Sequence, residues 1–156
     1  MGELLASFLL AALGLLLVSA GIEDARTREI ANWKNAAIAL LAPVWWWAIE
    51  IPFWPGMAIQ FGVALAVFAF FAGAFALGQM GGGDVKMIGA IALWLPKDLL
   101  LWLIVLMSLL GGALTLLLVV EKMVRKHERT LEIPYGVAIA IAGLLVLREP
   151  IINHFG

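Results

Sequence analysis

The sequence contains no cysteine, few charged residues and only three aspartates. The missing cysteines exclude disulfides, thiolate zinc sites and a cysteine nucleophile. Charged residues make up 13% of the 156 positions and the net charge is −1, so there is no basic surface for a nucleic acid, and we expect no such partner. The scarcity of aspartate makes each of the three, Asp24, Asp84 and Asp98, a residue whose placement needs a reason.

Apolar residues dominate what remains. They form 64% of the chain, with a mean hydropathy of +1.05, more than a soluble domain of this size is able to bury. We therefore predict a multi-pass membrane protein in contact with the lipid bilayer, folded as a single domain over residues 1–156. The apolar runs are Leu4–Ile22, Ala36–Ile49, Met57–Leu77, Val85–Leu95, Leu99–Val120 and Ile133–Leu147. They predict an all-α polytopic bundle of about six transmembrane segments.

The fourth apolar run is too short to cross a bilayer unaided. Val85–Leu95 crosses only if the preceding polar stretch, "GGGDVK", is buried in protein and not in lipid. With six crossings and the amino terminus outside, eight basic residues fall on the inner side and two on the outer side, which is the bias of a membrane protein with this orientation. The seven tryptophans are interpreted as anchors at the membrane interfaces.

Two of the three aspartates fall at the same side of the membrane in this topology. Asp24 follows the first helix and Asp84 precedes the fourth, both on the inner side, whereas Asp98 lies in an outer turn. One interpretation is structural: Asp84 is a helix N-cap, and Asp24 is a loop charge beside Arg28. The other is a catalytic pair that shares one proton, with one carboxylate as base toward water and the other as acid toward a carbonyl.

Other chemistries fit the sequence less well. Gly81, Gly82 and Gly83 permit close approach of a substrate to Asp84, but "GGGDVK" lacks the spacing of a phosphate-binding loop. His127 and His154 fall on opposite sides of the membrane, which disfavours a zinc site that uses both. We therefore predict no metal and no cofactor.

Three segments carry a family resemblance. They are "DARTREIANWKN" from Asp24, "GGGDVKMIGAIALWL" from Gly81 and "IPYGVAIAIAG" from Ile133. In this order and spacing the chain resembles the type IV prepilin peptidases, which are GxGD membrane aspartic proteases. Gly81, Gly83 and Asp84 match the GxGD segment, and Asp24, Arg28, Ile30 and Asn32 follow the order of the first-aspartate segment. The third segment departs from the family's "IPFGP" at Tyr135 and Val137.

The resemblance implies a function. It makes Asp24 and Asp84 the catalytic pair, and the substrate a prepilin whose short basic leader is removed at the cytoplasmic face of the bacterial inner membrane. The larger members also N-methylate the product and carry a cysteine-bearing insertion, for which this chain has neither cysteines nor room. It is therefore similar to the peptidase-only members that serve Tad/Flp pili. The residues expected to support or bind substrate are Gly81, Gly82, Gly83, Lys86, Arg28 and Asn32.

Several alternatives stay open at this point. The presenilin branch also uses GxGD, but Glu23 precedes Asp24 where that branch has tyrosine, and no Pro-Ala-Leu motif is present. The alternative outside enzymes is a small membrane subunit for transport or for pilus assembly. Lys86 either lowers the proton affinity of the pair or extends its ammonium group to the inner interface. The sequence assigns no oligomeric state.

Overall fold

All of the regular structure in the described residues is helical. The computed structural model describes residues 2–125 and 133–155, so His127 lies outside the described part. The helices are α1 (Gly2–Thr27), α2 (Asn32–Ala48), α3 (Ala58–Ala76), α4 (Gly82–Ala92), α5 (Lys97–Arg125) and α6 (Tyr135–Phe155), with an irregular turn at Phe53–Met57 before α3. The predicted all-α class is confirmed.

Three of the described segments are long and apolar enough to span a membrane. They are Gly2–Thr27, Phe53–Ala76 and Lys97–Val124. Large apolar side chains point outward along them, as at Leu15 and Phe70, which are 72% and 73% exposed. Such a surface is stable against lipid and unfavourable against water. The protein is therefore a membrane-type bundle, and the crossing by all six segments stays a prediction.

Helix α1 packs against α6 through small residues. A β-carbon added at Gly21 would lie 2.9 Å from the β-carbon of Ala140, so the two backbones approach closely at this level. Leu17 and Ile139, both fully buried, fill the space beside this contact. Close approach at small residues is a common way for membrane helices to associate. It brings the first turn of α6 against the last turns of α1.

Helix α4 is short, and its last turn lies inside the bundle, where Ile91 and Ala92 are fully buried. Its last carbonyls have no partners within the helix, and other elements supply donors. Gln60 Nε2 donates to the carbonyl of Ala92 at 3.0 Å, and Trp46 Nε1 donates to that of Leu93 at 2.7 Å. These side chains allow a helix of 11 residues to end away from water at little cost.

Three of the tryptophans are part of this interior. Trp45, Trp46 and Trp94 are buried, and Trp94 Nε1 donates to the carbonyl of Ile38 at 2.8 Å. The interpretation of all seven as interface anchors is therefore wrong for these three, because their indole groups serve the packing and hydrogen bonding of α4. The remaining four are exposed: Trp33, Trp47, Trp54 and Trp102.

Candidate active site

Asp24 lies inside α1 and not in the loop after it. The helix continues past the apolar run to Thr27, and Asp24 is 4% exposed. Its Oδ2 accepts a hydrogen bond from the backbone N–H of Val137 at 3.1 Å. Val137 is in the first turn of α6, where N–H groups lack partners within the helix. The same N–H also donates to the Pro134 carbonyl at 3.1 Å, so Asp24 shares this donor, and its carboxylate meets the positive end of the helix dipole.

The contact between Asp24 and α6 requires glycine at position 136. A β-carbon added at Gly136 would lie 2.8 Å from both Cγ and Oδ2 of Asp24, and 2.7 Å from Cδ1 of Ile30. Separations this short are strongly repulsive, so any side chain at this position would displace the carboxyl group or the start of α6. Gly136 is thus part of the site, although our sequence analysis did not single it out.

Asp84 occupies the third position of α4. The N-cap is Gly81, so the interpretation of Asp84 as the N-cap itself is not what the structure has. Its carboxyl group instead reaches back and accepts from the Gly81 N–H, as an acidic residue at the third helical position does in a capping box. Asp84 is 8% exposed. The hydrogen bond holds the carboxyl group against the glycine segment.

Both aspartates face one cavity of about 840 Å³. Asp24 is close enough to act on Asp84 electrostatically. Two buried carboxyl groups that interact do not both ionise readily, so we expect the pair to hold one proton between them. Asp98 is exposed, belongs to the first turn of α5 and lies outside the lining of this cavity.

The predicted supporting residues divide into two groups. The lining of the cavity includes Arg28, Asn32, Gly81, Gly82 and Gly83. Lys86 is not part of that lining.

Lys86 is exposed, and its Nζ donates to Asn32 Oδ1 at 2.8 Å. It lines a second, largely apolar cavity of about 450 Å³ between α2, α3 and α4, and Asn32 is shared by the two cavities. The structure therefore places Lys86 one residue away from the cavity, with Asn32 between them.

Asn35 supports the site from outside the first cavity, and the family motifs did not single it out. It is buried, and its Nδ2 donates to the Gly83 carbonyl at 3.2 Å, which ties α2 to the turn before Asp84. A signal was present in the sequence, since Asn35 follows Asn32 by three residues and so lies near it on the face of a helix. The predicted apolar run begins only at Ala36, so the sequence did not show that Asn32 and Asn35 belong to one helix.

The site offers few ligands for a metal. Within residues 2–125 and 133–155, no group of three or more acidic or histidine side chains lies close enough to hold an ion. The cavity presents two carboxyl groups and a glycine-lined wall, an arrangement suited to acid–base chemistry on a peptide.

Comparison with known proteins agrees with this chemistry. The profile of the type IV leader peptidase family matches residues 8–116, a region that runs from α1 into α5 and contains Asp24 and Asp84. Fold and match together define a membrane peptidase. The chain belongs to the type IV leader peptidase family, which confirms the resemblance seen in the sequence. No curated protein and no solved structure matches the chain significantly.

Proposed function

We propose that the protein is an aspartic endopeptidase that removes the leader from type IV prepilins, of the Flp/Tad kind, at the cytoplasmic face of the bacterial inner membrane. Asp24 and Asp84 are the catalytic residues. The observation that carries the proposal is that two largely buried carboxyl groups line the same cavity, in a chain of the leader peptidase family. The wall formed by Gly81, Gly82 and Gly83 supports it, because a peptide backbone approaches glycine closely.

The reaction follows from a pair that holds one proton. The ionised aspartate takes a proton from a water molecule, whose oxygen attacks the scissile carbonyl carbon. The protonated aspartate gives its proton to the carbonyl oxygen, and a tetrahedral diol forms. The C–N bond then breaks as the first aspartate protonates the leaving amine and the second takes a proton from a diol hydroxyl. The pair again holds one proton, and no covalent intermediate forms.

The non-enzymatic alternative, a small subunit for transport or assembly, is less well supported. The family match is to peptidases, and the two buried carboxyl groups face one cavity, which the stabilisation of helix starts does not require. The discriminating experiment is co-expression with candidate prepilins and mass spectrometry of the pilin. We expect loss of the leader mass with the wild-type chain and an intact prepilin with Asp84→Asn. Identical masses with both chains would favour the assembly subunit.

The cytoplasmic position of the site can be tested by labelling. The chain has no cysteine, so Trp54→Cys and His127→Cys each introduce a single thiol. We expect position 54 to react with a membrane-impermeant maleimide from outside intact cells, and position 127 to react only after permeabilisation. The reason is the excess of basic residues on the predicted inner side. Labelling of position 127 from outside would contradict the six-crossing topology.

The absence of methyl transfer is a second testable property. Purified protein incubated with a prepilin and a methyl donor should release the leader and leave the new amino terminus unmodified. The basis is the missing cysteine-bearing insertion of the larger family members, since the sequence has no cysteine and only residues 28–31 join α1 to α2. A mature pilin heavier by one methyl group would show that this chain carries both activities.

A further inference from the structure

A charged bracket lies next to Asp24 in the sequence and outside the lining of the cavity. Glu23 Oε2 pairs with Lys34 Nζ at 2.9 Å and also accepts from the backbone N–H of Ala31 at 3.1 Å. Lys34 Nζ donates in addition to the carbonyl of Ser19 at 3.1 Å. We call Glu23, Ala31 and Lys34 the bracket. It joins the last turns of α1 to the first turn of α2 across the connecting residues 28–31.

The proposed reaction does not use the bracket. The bracket nevertheless buries the charged group of Lys34, which is unfavourable unless that charge is paired. Lys34 is 7% exposed, and an ammonium group is buried at little cost only when its partners are in place. Glu23 and the Ser19 carbonyl supply those partners. Neither Glu23 nor Lys34 lines the cavity that the two aspartates face, so direct contact with a substrate there does not explain the pair.

The segment that the bracket holds carries Ile30, which contacts both halves of the site. A β-carbon added at Gly83 would lie 3.4 Å from Cβ of Ile30, and one added at Gly136 would lie 2.7 Å from its Cδ1. Gly83 immediately precedes Asp84, and Gly136 begins the turn that binds Asp24. Ile30 is buried, so it acts as a spacer between the start of α4 and the start of α6.

We propose that Glu23 and Lys34 are positioning residues for the peptidase reaction. The bracket fixes the 28–31 connection, the connection fixes Ile30, and Ile30 sets the spacing between the segments that carry Asp84 and hold Asp24. The expected effect on kcat rests on the proposed function. The expected effect on the position of the 28–31 connection rests only on the contacts described above. Neither residue lines the cavity, so we expect the bracket to act on the rate of the chemical step, through the placement of the two aspartates, and not on binding.

One substitution removes a single hydrogen bond of the bracket. Ala31 has φ −58° and ψ 130°, which proline adopts without strain, so Ala31→Pro deletes the N–H donor and keeps the backbone path. Lys34→Met removes the ammonium group and leaves Glu23 unpaired, whereas Glu23→Gln/Lys34→Met removes both charges together. Lys97→Met is the matched control, because Lys97 is exposed at the start of α5.

The first readout is kinetic, with rates expressed per folded molecule. We expect kcat to fall about tenfold or more for Ala31→Pro and Lys34→Met with KM unchanged, because small displacements of catalytic groups are expensive. The double variant should recover part of the loss of Lys34→Met, and Lys97→Met should match wild type. A wild-type kcat in the bracket variants, or a raised KM with unchanged kcat, would overturn the inference.

The second readout does not require activity. Spin labels on cysteines introduced at Glu29 and Gln79, both exposed, report the distance between the 28–31 connection and the turn before α4. We expect a broader distance distribution in Ala31→Pro and Lys34→Met than in the labelled parent or Lys97→Met. Both labelled positions line the cavity, so cleavage is scored on the unlabelled chains. If the unlabelled wild-type chain cleaves no prepilin and the broadening is present, the proposed function fails and the positioning contact stands. Unchanged distributions would refute the positioning role whatever the activity.

Discussion

Asp24→Asn and Asp84→Asn should each reduce leader cleavage by about 10³-fold or more, while the protein still inserts and folds. General acid–base catalysis by a positioned group contributes roughly 10²–10⁴-fold to a rate, and each of these substitutions removes a group that the shared-proton mechanism needs. Asparagine keeps the size of aspartate and an oxygen acceptor. The N–H of Val137 and the N–H of Gly81 therefore retain their partners, so the change tests chemistry more than folding. Cleavage is measured as the appearance of mature pilin by mass.

Asp98→Asn is the matched control for these two variants. Asp98 is exposed in the first turn of α5 and does not line the cavity, so its loss should leave cleavage nearly intact. Because the pair acts as a unit, Asp24→Asn/Asp84→Asn should be little worse than either single change. Cleavage at the wild-type rate by Asp84→Asn would remove it from the mechanism. An equal loss in all three single variants would indicate a folding defect.

Gly136→Ala should have the second-largest effect, a loss of about 10²-fold in kcat. The added methyl group cannot occupy its place without moving the Asp24 carboxyl group or the first turn of α6, because its carbon would lie only 2.8 Å from Cγ and Oδ2 of Asp24. A displacement of about 1 Å of a catalytic group costs rates of this order. The protein should remain helical, because alanine is favoured over glycine within a helix. Single-turnover cleavage and circular dichroism measure the two properties.

The control variants are Gly62→Ala and Gly73→Ala. Both glycines lie in α3, and a β-carbon added at either meets nothing within 4 Å among the described residues. They should cleave at the wild-type rate. Adding Ile30→Val to Gly136→Ala removes the terminal methyl group that is one of the two obstacles, but leaves the Asp24 carboxyl group as the other. Cleavage by the double variant Ile30→Val/Gly136→Ala should therefore stay impaired. Full activity of Gly136→Ala alone would show that α6 does not constrain Asp24.

The apolar runs were sufficient to predict that the helices exist, and two of the three family-like segments contain the aspartates that the fold brings to one cavity. Hydropathy is a local property, so the second, third and fourth predicted runs end within three residues of the observed helices. Helices α1, α5 and α6 continue five to eight residues beyond their runs. In α1, polar residues 23–27 continue the helix because Asp24 and Glu23 find partners in α6 and α2. A hydropathy pattern indicates which segments are stable in contact with lipid. It does not indicate which polar side chains find hydrogen-bond or ion-pair partners.

The environment of the site depends on contacts between residues far apart in the chain. The hydrogen bond from Val137 to Asp24 joins positions 113 residues apart, and that from Asn35 to Gly83 joins positions 48 apart. No local pattern encodes such a pairing, because it exists only after α1 has packed on α6 and α2 on α4. The same packing buries Trp94 and Lys34, which composition alone assigns to surfaces. The sequence thus identifies the acids and their membrane setting, and the tertiary packing supplies the burial, the hydrogen bonds and the spacing on which their chemistry depends.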